Sequence, residues 1–263
     1  MSGEFKFDSL FLFGAVVVNR NIRMILAYDG GSYHGWQRQT NARTIQGVIE
    51  AKIKIMVGEA VRLIASGRTD SGVHAENQVC NFVTRSALTP ETIKRGLNSL
   101  LPDDIFVKET AYVPLEFHSR YDARSKAYQY RVLNREDPDI FQRNYLWHIR
   151  PPLNVKDMAR CLPLLRGRND FSAFRSSGSA NVNPVRSIIR ADLHGAADGQ
   201  LRFVIEADGF LRHMMRNIVG TLVEVGLGRI NPSDFKEIFE SRDRRLAGLK
   251  APPQGLFLMK VKY

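Results

Sequence analysis

The order of apolar segments over residues 23–112 is the feature that most constrains what this chain can fold into. Apolar residues recur at helical spacing in two segments, 44–57 and 89–102, and the second opens on a Thr-Pro-Glu helix start. Short apolar runs typical of strands lie at 23–28, 61–66, 78–84 and 105–112. Their order along the chain is β-α-β-β-α-β, which is the order of a ferredoxin-like unit.

The second half of the chain repeats this pattern, although no sequence identity links the two halves. Strands are predicted at 127–133, 185–193, 201–207 and 256–261, and helices at 155–165, 210–225 and 232–240. We therefore predict an α+β protein with two ferredoxin-like (βαββαβ) subdomains, whose antiparallel sheets meet at a central cleft. The subdomains are predicted at 22–116 and 117–263, and 1–21 is predicted to be an N-terminal extension of unknown role.

The charge of the chain favours a polyanionic partner. Lys and Arg number 38 against 27 Asp and Glu, which gives a formal net charge of +11. Between Arg166 and Arg190 there are five arginines and one acid, Asp170, with Phe171 and Phe174 among them. Arginine interleaved with aromatic residues suits the binding of phosphates and unpaired bases. Nucleic acid is favoured over a membrane surface, because the sequence has no long basic amphipathic helix. A basic protein without such a partner is the alternative.

Several site classes are disfavoured by composition. Cys80 and Cys161 are far apart, so neither a disulfide framework nor a CxxC metal site is predicted, and a reducing cytoplasm is the expected location. The six histidines form no HxxxH or HExxH pair, so we expect no metal site. No phosphate-binding loop or dinucleotide fingerprint occurs, so we expect no nucleotide cofactor. The apolar run 10–18 is too short to cross a bilayer, so no membrane partner is expected.

One polar loop carries the residues best suited to chemistry. Gly67-Arg68-Thr69-Asp70-Ser71-Gly72-Val73-His74 lies between two strand-like runs, a setting in which scaffolds present reactive side chains. Its composition alone favours an ordinary surface turn, since Gly, Ser, Thr and Asp are common turn residues. The order of the residues favours an active-site loop instead.

That order resembles the active-site motif of the TruA-type tRNA pseudouridine synthases. Six further segments resemble segments of that family and occur in the same order: 28–37 and 44–46 before the loop, and 126–131, 170–174, 210–220 and 251–256 after it. The resemblance extends from Arg23 to Tyr263. The chain departs from the family pattern in the segment before Arg23, in the Pro253-Gln254 pair, and at His213 and Met215.

The resemblance implies the conversion of uridine to pseudouridine at positions 38, 39 and 40 in the anticodon stem-loop of tRNA. It also implies a homodimer, with tRNA as the partner. The reaction breaks the N-glycosidic bond and joins uracil C5 to ribose C1′, so it needs no cofactor. Asp70 is implied as the catalytic carboxylate, which could attack C1′, attack the uracil ring or act as a base. Arg216 is implied to keep it ionised, and Tyr128 to stack on the uracil.

Other residues are implied to bind the RNA. Arg68 is expected to fill the gap left by an extruded base, or to bind phosphate. Arg212 is expected to bind RNA phosphate, and Gly255 and Leu256 to shape the floor of the uracil pocket. Thr69 and His74 are further expected RNA contacts, in the central cleft that would bind the RNA.

Two other functions fit part of the sequence. A non-catalytic RNA-binding protein would explain the charge but not the occurrence of Asp70, Tyr128 and Arg216 in family order. A carboxylate-based hydrolase of nucleosides or glycosides would require a second carboxylate, for which Asp29 and Glu76 are the nearby candidates.

Overall fold

The computed structural model of the protein describes residues 18–176, 178 and 183–263. Within them, the first half contains β1 (Arg20–Tyr28), α1 (Ile45–Val57), β2 (Ile64–Ala65), β3 (His74–Thr84), α2 (Pro90–Leu100) and β4 (Ile105–Val113). The second half contains β5 (Ser125–Asn134), β6 (Trp147–Ile149), α3 (Val155–Leu165), β7 (Gly167–Asp170), β8 (Val185–Gly195), β9 (Gln200–Ala207), α4 (Met214–Gly226), α5 (Pro232–Ser241) and β10 (Leu256–Lys262). The predicted α+β class and the β-α-β-β-α-β order of the first half are confirmed.

All of these strands belong to one sheet, which corrects the expectation of two separate sheets. The strand order is β4-β1-β3-β10-β5-β9-β8-β7, with β2 paired to β3 and β6 paired to β5. The last strand, β10, joins the halves because it pairs in parallel with β3 and antiparallel with β5. Leu258 is thereby a neighbour of both Ala75 and Tyr128. The sheet is mostly antiparallel, and the joint brings the polar loop 67–73 beside β5.

Local sequence signals account for the helix ends. The Thr44 side chain accepts a hydrogen bond from the Gly47 backbone N–H and caps α1, which ends at Gly58 in the left-handed conformation. Thr89 caps α2 in the same way through the backbone N–H of Thr92. Asn154 caps α3 through the backbone N–H of Asp157. These boundaries follow from residues within one turn of each end.

Two predicted segments have different bounds in the structure. The strand predicted at 61–66 is only the two residues Ile64–Ala65. The helix predicted from residue 210 begins at Met214, because His213 has a φ of 60° and interrupts the helical conformation. The apolar residues that precede it serve packing instead, since Phe210 contacts the Tyr128 ring edge-on and Leu211 is buried. Residues 1–17 of the predicted extension lie outside the described residues, and β1 already begins at Arg20.

Helix α4 is the most enclosed helix among the described residues, since every residue from Met214 to Gly226 is buried. A side chain at Gly220 would place its Cβ 1.8 Å from the Leu249 carbonyl oxygen, so only glycine permits this close approach. The approach fixes the segment that leads into β10 against the helix. No described helix is long and apolar enough to cross a membrane.

Candidate active site

A cleft of about 830 Å³ opens between the polar loop, strand β5 and the N-terminal end of α4. Both halves of the chain contribute to its walls. Residues 62–70 line one side, and 209–216 line the other. The sequence-predicted residues among its lining are Arg68, Thr69, Asp70, Tyr128, Arg212, Arg216 and Leu256.

The backbone of the polar loop is held in place on several sides. The Trp36 backbone N–H donates to the Thr69 carbonyl oxygen over 3.1 Å, and the Val73 N–H donates to the Asp70 carbonyl oxygen over 3.1 Å. The Ser71 hydroxyl donates to the Tyr33 carbonyl oxygen over 3.1 Å. Because the backbone is fixed in this way, the Asp70 side chain is presented to the cleft in a defined direction, with 31% of its surface exposed.

Arg216 lies against that carboxylate. Its Nη1 donates to Asp70 Oδ2 over 3.2 Å, and its Nε donates to the Ala251 carbonyl oxygen over 2.8 Å. The Arg216 side chain is only 8% exposed, so its charge is compensated mainly within the protein. It lies in the first turn of α4, where the helix dipole adds positive potential near Asp70. The structure thus brings together two residues separated by 146 positions.

His213 is a third member of this group, which the sequence analysis treated only as a departure from the family pattern. Its Nε2 lies 3.7 Å from Asp70 Oδ1. Burial is the main cause that lowers the pKa of the His213 imidazole, and it outweighs the opposite influence of Asp70. The positive charges of Lys250, Arg216 and Arg212 lower this pKa further. The position of His213, three residues before Arg216, is the sequence signal that could have identified it.

The structure distinguishes between the two tyrosines of β5. Tyr128 lines the cleft, and its ring meets Phe210 edge-on at a centroid distance of 4.8 Å. Burial is the main cause that raises the pKa of its phenol, so the hydroxyl is neutral. Tyr130 is fully buried, and its hydroxyl donates to the Pro252 carbonyl oxygen over 2.6 Å. Tyr128 is therefore the tyrosine that can meet a base in the cleft.

The predicted RNA contacts do not all face the cleft. Arg68 and Arg212 are exposed residues of its lining, and Leu256 is a buried one. Gly255 is buried against Tyr130, where an added Cβ would be 2.8 Å from the ring. Gly255 therefore permits the packing of Tyr130 and does not itself line the cleft.

Thr69 and His74, the two further expected RNA contacts, are both buried. The Thr69 hydroxyl is hydrogen-bonded to the Tyr28 hydroxyl over 2.9 Å, and the residue is buried. His74 is 2% exposed and stacks on Phe257 at a centroid distance of 4.7 Å. Thr69 still belongs to the cleft lining, although its hydroxyl is engaged by Tyr28, whereas His74 is not among the lining residues.

His74 also connects the loop to the segment after β1. Its Nδ1 lies 3.1 Å from the Gly30 backbone nitrogen and 2.9 Å from Asp29 Oδ1. The hydrogen bond from Gly30 requires an unprotonated Nδ1, because the ring nitrogen is the acceptor. The contact with Asp29 is stronger when the ring is protonated, because the two groups then carry opposite charges. Burial lowers the pKa of His74 more than Asp29 raises it, so the neutral ring that accepts from Gly30 is the form present at neutral pH.

The two alternative carboxylates have other partners. Asp29 Oδ2 accepts a hydrogen bond from the Tyr145 hydroxyl over 2.7 Å. Glu76 forms an ion pair with Arg131 at 2.7 Å. Neither residue lines the cleft with Asp70, so the described residues of the lining offer no second carboxylate for a retaining glycosidase. Among the described residues, no group of three or more His, Cys, Asp or Glu side chains could hold a metal ion.

The chain matches known proteins over most of its length. The family model described as tRNA pseudouridine synthase matches residues 24–122 and 162–263. The tRNA pseudouridine synthase A of Acetivibrio thermocellus is 46% identical over 244 residues, covering 93% of this chain and 100% of the relative. The enzyme of the same name from Thermoanaerobacter sp. (strain X514) has the same identity and coverage. A tRNA pseudouridine synthase A 2 of Clostridium perfringens is 43% identical over 245 residues, covering 93% of this chain and 100% of the relative.

These matches define an RNA-modifying isomerase. The chain belongs to the tRNA pseudouridine synthase family, and it isomerises uridine in tRNA. A chain in the crystal structure of a Cbf5-Nop10-Gar1 complex aligns over 90% of this chain and 57% of its own length, with 13% identity and a TM-score of 0.36. A likeness of that size is too slight to inform either fold or function.

Proposed function

We propose that this chain forms pseudouridine at positions 38, 39 and 40 in the anticodon stem-loop of tRNA, with Asp70 as the catalytic residue. The observation that carries the proposal is the Asp70–Arg216 pair, which faces Tyr128 across one cleft. The tRNA positions themselves rest on the resemblance of the polar loop and the six further segments. The cleft lies between the segments 22–116 and 117–263, which we propose as the two subdomains.

The geometry suits a carboxylate that acts on a base removed from its stack. Arg216 holds Asp70 Oδ2, so Oδ1 is the oxygen that remains for chemistry. Such an oxygen can attack C1′, attack the uracil ring or remove a ribose proton, and all three fit the contacts described. A stacked base in an RNA stem cannot reach this oxygen, so the uridine has to be extruded. Tyr128 would then stack on the uracil, and Arg68 is exposed where it could fill the gap.

Tritium release from tRNA labelled at uridine C5 tests the proposed reaction. C5 loses its hydrogen when it becomes the glycosidic carbon, so release reports isomerisation directly. We expect release by the wild type and none by Asp70→Ala, whose tRNA affinity should stay within a few-fold of the wild type. An active Asp70→Ala enzyme would remove Asp70 from the catalytic role. Free uracil among the products would instead favour the hydrolase.

Substitution of the target nucleotides tests the proposed positions. Each replacement of uridine by cytidine, at position 38, 39 or 40, should abolish the tritium release from that position. Release that survives all three replacements together would mean that the enzyme modifies another part of the tRNA.

We also propose that the enzyme is a cytoplasmic homodimer whose two subunits bind one tRNA. A net charge of +11 supports an RNA-binding surface larger than one cleft. Phe141 is 86% exposed, and the adjacent Ile140 is 59% exposed, which is compatible with an apolar contact between subunits. Sedimentation equilibrium should show a dimer for the wild type and a higher dimer dissociation constant for Phe141→Ser. A monomeric wild type would contradict the proposal.

A further inference from the structure

Lys126 lines the cleft beside the polar loop, although the sequence analysis assigned no role to it. Its side chain is half-buried, and its Cε is 3.5 Å from the place where a Cβ on Gly67 would lie. Lys126 and Tyr128 occupy alternate positions of β5, which pairs with β9 without interruption from Lys126 to Leu133. Alternate residues of a strand share a face and are about 7 Å apart. Lys126 and Tyr128 are therefore neighbours on one face of β5, and both line the cleft.

Two arginines line the same part of the cleft. Arg120 follows β4 in the turn that leads to β5, and Arg186 lies at the start of β8. The Arg186 guanidinium is held in position because its Nη1 donates to the carbonyl oxygens of Asn183 and Val185. Its Nε also lies close to Gly209, where an added Cβ would be 3.2 Å away. A side chain at residue 209 would therefore displace this arginine.

Asp208 compensates part of the positive charge of this group, since it raises the pKa values of both Lys126 and Arg186, which burial lowers. Within the described part of the chain, none of the three cations has a carboxylate at ion-pairing distance. Burial lowers the pKa of Lys126, and Arg120 and Arg186 lower it further, whereas Asp208 raises it. Asp208 is partly engaged elsewhere, since its Oδ1 accepts from the Ser187 backbone N–H over 3.0 Å. Gathering three cations in a concave site costs free energy that an anion would recover.

We propose that Lys126, Arg120 and Arg186 form a subsite for one phosphate of the RNA backbone, at the nucleotide that is extruded onto Tyr128. This inference rests on the proposed function. The separation of about 7 Å between Lys126 and Tyr128 suits a nucleotide whose base and phosphate are held at the two positions. Arginine and lysine are the side chains that bind phosphate oxygens through charge-assisted hydrogen bonds. The subsite holds the backbone while the base turns.

The dependence of RNA affinity on salt tests the subsite. Binding is measured with an anticodon stem-loop RNA in the Asp70→Ala background, so that the bound RNA is not converted. Lys126→Gln should reduce the slope of log K against log salt by about 0.7 to 0.9, the value for one lost phosphate contact. Arg186→Gln should have the same effect, and Lys126→Arg should retain the slope. Lys156→Gln is the matched control, because Lys156 is an exposed lysine of α3 outside the cleft lining.

A neutral methylphosphonate at the target nucleotide locates the contact on the RNA. It should weaken binding to Asp70→Ala about tenfold, as expected for a lost charge-assisted hydrogen bond, and should have no further effect on the variant that also carries Lys126→Gln. Equal slopes and equal methylphosphonate penalties for the Lys126→Gln and Lys156→Gln variants would overturn the subsite. Wild-type turnover of unmodified tRNA is measured in parallel, and its absence would instead reject the proposed function.

Discussion

Arg216 Nη1 donates a hydrogen bond to Asp70 Oδ2 over 3.2 Å, while Nε of the same side chain donates to the Ala251 carbonyl oxygen over 2.8 Å. One guanidinium therefore connects the polar loop, helix α4 and the segment that enters β10. The position of the carboxylate depends on all three, because α4 carries the arginine and the other two elements each accept one of its hydrogen bonds. A positive charge alone would not reproduce both bonds.

Replacing Arg216 by lysine separates charge from geometry. Arg216→Lys keeps the cation but loses the fixed arrangement of the two donors, so we expect kcat to fall about 100-fold, a loss typical of a misplaced catalytic group. Multiple-turnover assays at saturating tRNA measure this effect. Arg229→Lys is the control, since Arg229 follows the other end of α4 and pairs with Glu224 at 3.1 Å. Equal rates for the two variants would show that the geometry of Arg216 is unimportant.

Removing one hydroxyl from each tyrosine of β5 should produce opposite effects. Tyr130→Phe loses a buried hydrogen bond to the Pro252 carbonyl, so we expect a loss of about 1 kcal/mol in the free energy of unfolding. Turnover should change little, because Tyr130 does not line the cleft. Tyr128→Phe keeps the stacking ring but removes the hydroxyl, which the family resemblance places near the reacting atoms, so turnover should fall while stability stays nearly unchanged. Urea denaturation measures the stability of both variants, and tritium release measures their turnover. A slower turnover by Tyr130→Phe than by Tyr128→Phe would contradict the prediction.

His213 should make catalysis depend on pH on the acidic side. Its pKa lies below the ordinary 6.5, chiefly because of burial, so the ring is neutral at pH 7 and gains a proton only at lower pH. The resulting cation, 3.7 Å from Asp70 Oδ1, would compete with the substrate for this oxygen. We expect kcat to fall below pH 6.5 in the wild type.

His213→Asn is the variant that isolates this effect, because asparagine tolerates the left-handed conformation found at residue 213. It should retain activity at pH 7.5 and lose the acidic decline. A pH–rate profile at saturating tRNA compares the two enzymes. If kcat of His213→Asn fell at low pH as it does in the wild type, the decline would belong to another titrating group.

His74 should make stability depend on pH. Its folded-state pKa is lowered, mainly by burial, so the unfolded chain binds a proton more readily than the native protein. The stability that the neutral ring contributes is fully present above pH 6.5 and is lost as the pH falls towards the lowered value. The free energy of unfolding from urea titrations should therefore decrease from pH 7.5 to pH 5.5.

His74→Asn tests the assignment of this decrease. The asparagine carbonyl can still accept from the Gly30 N–H but does not titrate, so the variant should be less sensitive to pH. His194→Asn is the control, because His194 is exposed near the end of β8. Equal pH dependence in the His74→Asn and His194→Asn variants would contradict the interpretation.

Much of the fold could be predicted because its signals are local. Thr44, Thr89 and Asn154 cap the helices that their positions indicated, and the order of elements in the first half is the predicted one. The start of α4 was wrong by four residues, since the apolar character of Phe210 and Leu211 does not distinguish a packed loop from a helix. The short β2 likewise reflects pairing with β3 over only two residues.

The candidate site was predictable only in part. The motif indicated Asp70, Tyr128 and Arg216, and the structure brings them to one cleft. The burial of Thr69 and His74 was not predictable, because a loop sequence does not state which side chains are buried. The grouping of Lys126 with Arg186 was missed for a related reason, since the two residues are 60 positions apart and meet only through the pairing of β5 with β9 and of β9 with β8.

The sequence by itself determined the α+β class, the helix caps and the loop that carries Asp70, because each depends on residues close together in the chain. Only the tertiary structure decided that β10 joins both halves into one sheet, that Arg216 holds Asp70, and that Tyr128 rather than Tyr130 faces the cleft. These relationships depend on the simultaneous packing of distant elements, and burial then decides which side chains are left for a ligand.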